Sequence, residues 1–316
     1  MMAAEAAAPD RRIADRGPDA IVIGATKAGT TSLFEYLIDH PQVFMDPQKE
    51  LRFFHRVDPD AAAVDAYLER FRGAEGRVAM ESSNGYTRSP VYPGVPERMA
   101  ALCPDVRLVY LTRDPMARLE SHYRHRLAMG REWRSPDLAI AADPSYVAAS
   151  LFGHQLSLYH RHFTADRIHV VRSERLFDDA DGARSELCAF LGIEFDPDRP
   201  WPRANTTMGR TVVPRPLRRL YGWSGSERLA RWARGLADIL PATGDAGAPT
   251  FDLGNDLRRD LESRFDADAR LLADLTDTEY PTTEHPTAGG VSGVAGESSA
   301  PATHTMRPKP EPRGSS

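Results

Sequence analysis

Short apolar runs alternate with amphipathic stretches along the chain. AIVIGA, residues 20–25, is brief, β-branched and apolar on both faces, which predicts a buried strand. SLFEYLIDH, 32–40, follows as a helix with Leu33, Phe34, Leu37 and Ile38 on one face, stopping at His40-Pro41. VRLVYLTR, 106–113, repeats the buried-strand pattern. RIHVVRSERL, 167–176, holds a third strand centred on Ile168 to Val171. GARSELCAFLGI, 182–193, reads as a helix whose stripe is Leu187, Phe190 and Leu191. Strands apolar on both faces and separated by helices predict an α/β fold: a P-loop-like parallel β-sheet flanked by helices, in a single domain. Ligands of such sheets bind beyond the C-terminal strand ends, where the loop GATKAGTTSL and the segment TRDP both fall.

The periodicity fades at both ends. Residues 1–17 are rich in Ala, Arg and Asp. Of the 36 residues from 281 to 316, 21 are Pro, Gly, Ser or Thr and none is Leu, Ile or aromatic, too little apolar surface to offset the entropy of ordering. Disordered tails are therefore expected at 1–17 and 281–316, around a domain at 18–280.

Composition narrows the function classes. The chain has 316 residues, 41% hydrophobic and 27% charged, with a net charge of −5 that argues against a general nucleic-acid binder. Charge is uneven. Residues 107–134 carry seven arginines against three acids, and 210–234 seven arginines against Glu227 alone. Each segment reads as a local anion site or as a solvated helix face. The two cysteines, Cys103 and Cys188, sit in apolar settings and are too few for a disulfide framework or a zinc site. No apolar run reaches the roughly 20 residues of a membrane span, and the N-terminus lacks an apolar signal core. A soluble cytoplasmic protein is the expectation, and the missing signal anchor argues against glycan sulfation in a secretory pathway.

The loop at 24–33 carries the chemistry. A strand, a glycine-containing turn and a helix start present free backbone N–H groups to an anion. Thr30, Thr31 and Ser32 add hydroxyls, and Lys27 a mobile charge. The spacing of Gly24 and Gly29 matches a nucleotide-binding P-loop, but Thr30 stands where that loop has its lysine. No acid is evident for Mg²⁺ either, since Arg113 precedes the first acid at the end of YLTRDP. The pair suits a nucleotide held by protein cations. A metal-dependent P-loop kinase and a non-catalytic nucleotide-binding protein are the competing readings.

The motifs, in order, resemble those of sulfotransferases that use 3′-phosphoadenosine 5′-phosphosulfate (PAPS), in particular the heparan-sulfate and related bacterial branch. TKAGTTSL resembles their 5′-phosphosulfate loop, and RDPMARLESHYRH their 3′-phosphate motif. KELRFFH, 49–55, resembles a K-E-x-x-F-F segment, MESSNGY, 80–86, a substrate-side E-x-S/T-P-x-Y segment, and FLGIEF the helix-to-loop F-L-G-I. The resemblance runs from about 19 to 274. It implies that Lys27, Ala28, Gly29, Thr30 and Thr31 hold the 5′-phosphosulfate and that Lys27 stabilises the leaving oxygen. Arg113 and Ser121 would hold the 3′-phosphate, and Gly209 and Arg210 would close over the nucleotide. Glu50 falls at the position of the general base and Arg52 at that of a substrate-contacting histidine. No metal is required, and the product is 3′,5′-adenosine bisphosphate (PAP).

The resemblance puts MESSNGY on the acceptor side, where Tyr86 reads as lining the cleft and Glu81 as acceptor-binding or as a partner for a site arginine, and His125 is a further candidate for contact with the substrate. It departs from the family at Ser82, where glycan-modifying members often have a lysine, and at Asn84-Gly85, where a proline is expected. Glu50 has a structural alternative, an ion pair with Lys49 or Arg52. His55 and His125 are alternative bases. Phe53 and Phe54 read as core, Arg118 as an ion-pair partner of Asp114, and Glu174 and Arg175 as structural. LRRLYGWSGSERLARWARGLADIL, 217–240, reads as an amphipathic helix packed on the core, and also fits a lid or an interfacial helix at a membrane. The expected acceptor is a carbohydrate, glycolipid or small natural product.

Overall fold

The computed structural model describes residues 17–178, 180–202 and 250–276, without the side chains of 178, 180 and 181. Its centre is a five-stranded parallel sheet in the order β2-β3-β1-β4-β5, built from β1 (Ala20–Gly24), β2 (Val43–Met45), β3 (Val78–Ser82), β4 (Arg107–Thr112) and β5 (Ile168–Arg172). All five residues of β1 are buried, as a both-faces-apolar strand between two neighbours requires. The chain moves from β1 to one edge, returns through β3, then crosses β1 to build the other side. Such a reversal opens a crevice at the C-terminal strand ends.

Helices cover both faces. α1 (Thr30–Ile38) ends before His40-Pro41 as its sequence requires, and buries Leu33, Tyr36 and Leu37. Its stripe is turned slightly from the expected one: Phe34 and Ile38 are half-buried, and Tyr36 instead reaches the core, its hydroxyl 4.0 Å from Cys188 Sγ. Both cysteines are buried free thiols.

After β2 come a 3₁₀ turn at Phe53–His55, α2 (Ala61–Glu69) and α3 (Val95–Leu102). α4 (Pro115–Ala128), α5 (Pro136–Ala142), α6 (Ser145–Ala148) and α7 (Phe152–Tyr159) follow β4. α8 (Ser173–Asp178), α9 (Ala180–Leu191) and α10 (Asn255–Thr276) complete the described elements. The sheet and its helices form one hydrophobic core. A second gathers Leu119, Tyr123 and Leu127 of α4 against Tyr146, Leu261 and Phe265. α10 is fixed by Asp268, whose carboxylate accepts from the N–H groups of Gly153 and His154 at 2.8 Å each and so caps the start of α7.

The sequence reading names three strands and misses β2 and β3. β2 has only three residues, and β3 (VAMES) carries a charged residue at a buried position. The 217–240 segment and the tails, Gly17 excepted, lie outside the described residues. Among those residues, no helix is long and apolar enough to cross a membrane.

Candidate active site at the C-terminal strand ends

The loop leaving β1 is shaped by backbone first. Gly24 can only be glycine: a Cβ there would lie 2.0 Å from Thr87 Oγ1. Lys27 and Gly29 both take left-handed backbone, with φ of 71° and 90°. Glycine adopts that conformation freely, whereas for lysine it costs on the order of 1–3 kcal/mol. The Arg113 guanidinium donates to the Lys27 carbonyl at 3.3 Å and helps hold it there. Gly29 then serves as N-cap of α1, and no side chain caps that helix start. The first N–H groups of α1 are thus left to an anion, with Thr31 exposed beside them.

The K-E-L-R segment is bent in the same way. Glu50 and Arg52 have φ of 67° and 55°. Three of the four left-handed non-glycine residues among those described are therefore Lys27, Glu50 and Arg52. Strain of this kind persists only where surrounding contacts over-determine it, and it gathers at functional sites. The contacts are visible: the Glu50 N–H donates to the Ser82 carbonyl at 2.9 Å, and the Arg52 N–H to Ser83 Oγ at 3.1 Å. Both dock the segment onto the end of β3.

Asn84, which sequence reasoning treats only as a departure from the family, joins the two strained segments. Thr26 Oγ1 lies 2.9 Å from its side-chain oxygen and 3.0 Å from its carbonyl. Its amide reaches Thr30 Oγ1 at 3.5 Å, and its N–H donates to Glu50 Oε1 at 3.3 Å. Lys49 is the second residue that was missed. It donates to Thr31 Oγ1 at 2.6 Å, on the loop side, while still acting electrostatically on Glu50. The ion-pair alternative for Glu50 is left with Arg52, at 3.8 Å, whose side chain is 63% exposed. A contact so long and wet is worth little.

Burial pushes the Glu50 carboxyl above the ordinary carboxylate value, opposed by the Asn84 N–H and by Lys49, Arg52 and Arg88. Burial likewise pulls Lys49 down, against the pull of Glu50 and Glu35. The group is thus a carboxylate raised toward working pH among cations, a setting suited to a general base. His55 stacks on Tyr92 with centroids 3.7 Å apart, and burial holds it below the usual histidine range. Phe53 and Phe54 are buried, as expected.

Arg113 stands at the C-terminal end of β4, immediately before the Asp114 N-cap of α4. Ser121 lies nearly two turns into that helix and His125 one turn further; both are half-buried. Glu174 has the structural role expected of it: its carboxylate accepts the Asp114 N–H at 3.0 Å and so braces the start of α4. Arg175 pairs with Glu186. Gly209 and Arg210 lie outside the described residues.

Three expectations need correction. Arg118 does not pair with Asp114, whose carboxylate caps α4 by accepting the Ala117 N–H; Arg118 is fully buried and donates to Ser150 Oγ and the Tyr146 carbonyl. Glu81 is 0% exposed and Tyr86 2% exposed, so neither lines an open acceptor cleft. They bond to each other instead: the hydroxyls of Tyr67 and Tyr86 both donate to Glu81 Oε1 at 3.1 Å. The pair supports the site from beneath.

Burial pushes Glu81 up to about 7 from 4.5. The folded protein therefore keeps a proton that the unfolded chain releases near 4.5. Stability contributed by this group is full below pH 4.5 and is lost as pH rises to about 7, by up to about 3 kcal/mol. Denaturation midpoints should accordingly fall between pH 5 and pH 8, and Glu81→Gln should remove the larger part of that fall. An unchanged slope in the variant would refute this account of Glu81.

The site can be tested for fit to a nucleotide carrying two anionic ends. The uncapped α1 start, the strained Lys27 and the Thr31–Lys49 pair suit one end, and Arg113 with Ser121 offers a cation and a hydroxyl for the other. Among the described residues, no cluster of three or more His, Cys, Asp or Glu side chains is arranged to hold a metal ion.

Residues 17–207 match the family model described as "Sulfotransferase domain". Mouse heparan sulfate glucosamine 3-O-sulfotransferase 3A1 is 30% identical over 191 residues, covering 56% of this chain and 46% of the relative. Mouse heparan sulfate glucosamine 3-O-sulfotransferase 6 is 29% identical over 202 residues, covering 60% and 55%. The matched region thus spans about half the length of these relatives. Among solved structures, a sulfotransferase from Alicyclobacillus acidocaldarius superposes with a TM-score of 0.58 at 24% identity, covering 84% of this chain and 98% of that one. At that identity the likeness speaks for the fold.

Proposed function

The chain belongs to the sulfotransferase family, and from that premise we propose that residues 18–280 act as one catalytic domain that moves a sulfuryl group from PAPS to a hydroxyl or amine of a carbohydrate, glycolipid or small natural product. One observation carries the reading: Lys27 and Glu50, the two residues with opposite jobs in such a transfer, are both in strained backbone, and Asn84 ties Glu50 to Thr26, the neighbour of Lys27 in the loop.

Bound PAPS supplies a sulfuryl group already activated by its phosphate leaving group. The protein has to align the reactants, stabilise charge on the leaving side and remove a proton on the attacking side. Lys27 and the N–H groups at the start of α1 meet the leaving phosphate. Lys49, held on Thr31, adds a second cation there, and the position after Glu81, where glycan-modifying members often have a lysine, is buried Ser82 in this chain. Glu50 faces the acceptor and takes its proton. Arg113 and Ser121 select a nucleotide with a 3′-phosphate, and Gly209 and Arg210, outside the described residues, are its remaining expected contacts. The names of the relatives give heparan sulfate glucosamine as their acceptor, which supports a glycan here.

Calorimetric titration with PAP and with ATP, each with and without EDTA, tests the cofactor assignment. PAP is expected to bind equally well in both conditions and more tightly than ATP. Metal-dependent ATP binding with no affinity for PAP would overturn it in favour of a P-loop phosphotransferase.

A further inference from the structure

β3 lies between β2 and β1 in the sheet. The chain leaving β1 carries Lys27 and the chain leaving β2 carries Glu50, so the residues that follow β3 enter the space between the two. They bind both sides. The Ser82 carbonyl and Ser83 Oγ receive the N–H groups of Glu50 and Arg52, while the Ser83 N–H donates to the Val22 carbonyl of β1 at 3.0 Å. Asn84 comes next and is half-buried there.

Backbone and side chain of Asn84 serve different partners. Its N–H donates to Glu50 Oε1 at 3.3 Å. Its side-chain oxygen accepts from Thr26 Oγ1 at 2.9 Å, and its side-chain nitrogen donates to Thr30 Oγ1 at 3.5 Å. Thr26 and Thr30 bracket Lys27 and Gly29, the two left-handed residues that shape the loop. In the E-x-S/T-P-x-Y pattern that MESSNGY resembles, position 84 is the proline. Proline has no N–H to give, so the bond to Glu50 depends on the departure made here.

We propose that Asn84 is a positioning residue with two separable jobs: its backbone N–H holds the Glu50 carboxylate, and its side chain fixes the loop at 26–30, so that base and sulfuryl donor are set relative to each other through one residue. This deepens the sulfuryl-transfer reading and rests on it for the words base and donor. Donation to a carboxylate favours its charged form. Burial raises the Glu50 carboxyl, and the Asn84 N–H leads the groups that oppose it, followed by Lys49 and Arg52 from the same segment and Arg88 from beyond β3. Arg52 stands 3.8 Å away and is exposed. Lys49 is shared with Thr31 and with the charge of Glu35 on α1. The N–H is thus the contact that keeps the base ready without a competing partner of its own, and the side chain of the same residue carries that placement to the loop.

Magnetic resonance reads the first job directly. In protein labelled with ¹⁵N and with ¹³C at the glutamate carboxyls, Glu50 is the carboxyl signal missing from Glu50→Gln. The Asn84 amide proton is expected to titrate with the same midpoint as that carboxyl, and to lose the step in Glu50→Gln. Asn84→Pro removes the N–H and should raise the Glu50 midpoint by about 0.5 to 1 pH unit, whereas Asn84→Ala keeps the N–H and should leave it within about 0.3. The second job is read by calorimetry. Asn84→Ala should weaken PAP binding about three- to tenfold, Thr26→Val should do likewise, and the double variant should be little weaker than either. An Asn84 amide that ignores the Glu50 titration overturns the proposal, and that result needs no substitution at 84. So does a Glu50 midpoint that moves alike in Asn84→Ala and Asn84→Pro, or a PAP affinity unchanged in Asn84→Ala. Failure of the wild type to bind PAP would sink the cofactor reading, and the amide titration on ligand-free protein would then decide the role of Asn84 by itself.

Discussion

Lys27→Ala is expected to lower kcat by about three orders of magnitude while raising the Kd for PAP by less than about tenfold. The split follows from where the residue sits. Lys27 lies inside the loop, and its carbonyl is held by Arg113. Its side chain therefore serves the step in which charge moves to the leaving phosphate, whereas ground-state affinity is shared with the α1 N–H groups, Thr31, Lys49, Arg113 and Ser121. Alanine is as strained at φ 71° as lysine, so the substitution leaves the backbone penalty, and the fold, as they were. Lys49, held on Thr31 Oγ1 at 2.6 Å, already contributes its charge in the wild type and so does not replace the one that is lost. Single-turnover kinetics with labelled PAPS, alongside PAP titration, separate the two parameters. A variant with near-normal kcat would remove Lys27 from the leaving-group role. A variant whose loss lay wholly in PAP affinity would make it a binding residue only.

The strand-loop-helix unit around Lys27 was legible because both of its signals are local. Apolar β-branched residues mark β1, and glycine spacing with hydroxyls marks the helix start. β4 and β5 were legible for the same reason. β3 was not, because Glu81 interrupts its apolar run, and a carboxylate in a central strand reads as solvent-facing until Tyr67 and Tyr86 are seen to hold it. Tyr86 lies in the same MESSNGY segment as Glu81 and Tyr67 comes from α2, and that both hydroxyls turn to this carboxylate leaves no mark on a single sequence. Asn84 and Lys49 were missed alike: each acts through contacts with the loop at 26–31. Arg118 shows the converse error. Its place one turn after Asp114 suggested a local ion pair, yet the Asp114 carboxylate was needed as an N-cap and the helix turned Arg118 inward. The left-handed conformations of Lys27, Glu50 and Arg52 had no sequence signature, since none is Gly, Asn or Asp. They are the site's clearest mark, independent of any resemblance.

Glu50→Gln is expected to lower kcat by about 10²- to 10⁴-fold with the PAP Kd unchanged. Glutamine is nearly isosteric and keeps an oxygen for the Asn84 N–H, now 3.3 Å from Glu50 Oε1, so the strained turn and its link to the loop survive. What is lost is the ability to take a proton from the acceptor. The pH profile supplies a signature that a merely structural role would not give. Burial raises the Glu50 carboxyl above its ordinary value of 4.5, and only the ionised form is a base. Activity of the wild type should therefore rise with pH along a limb displaced above the usual carboxylate range, and the residual activity of the variant should lack that limb. Arg52 sharpens the test. It favours the ionised form across 3.8 Å, so Arg52→Gln should move the limb to higher pH without abolishing it. Full activity in Glu50→Gln, or an unaltered acid limb in its residual rate, would pass the role of base to another group, with His55 first in line by its place against Tyr86 and Tyr92. Displacement of the limb in Arg52→Gln together with its disappearance in Glu50→Gln would tie the proton to this one carboxylate.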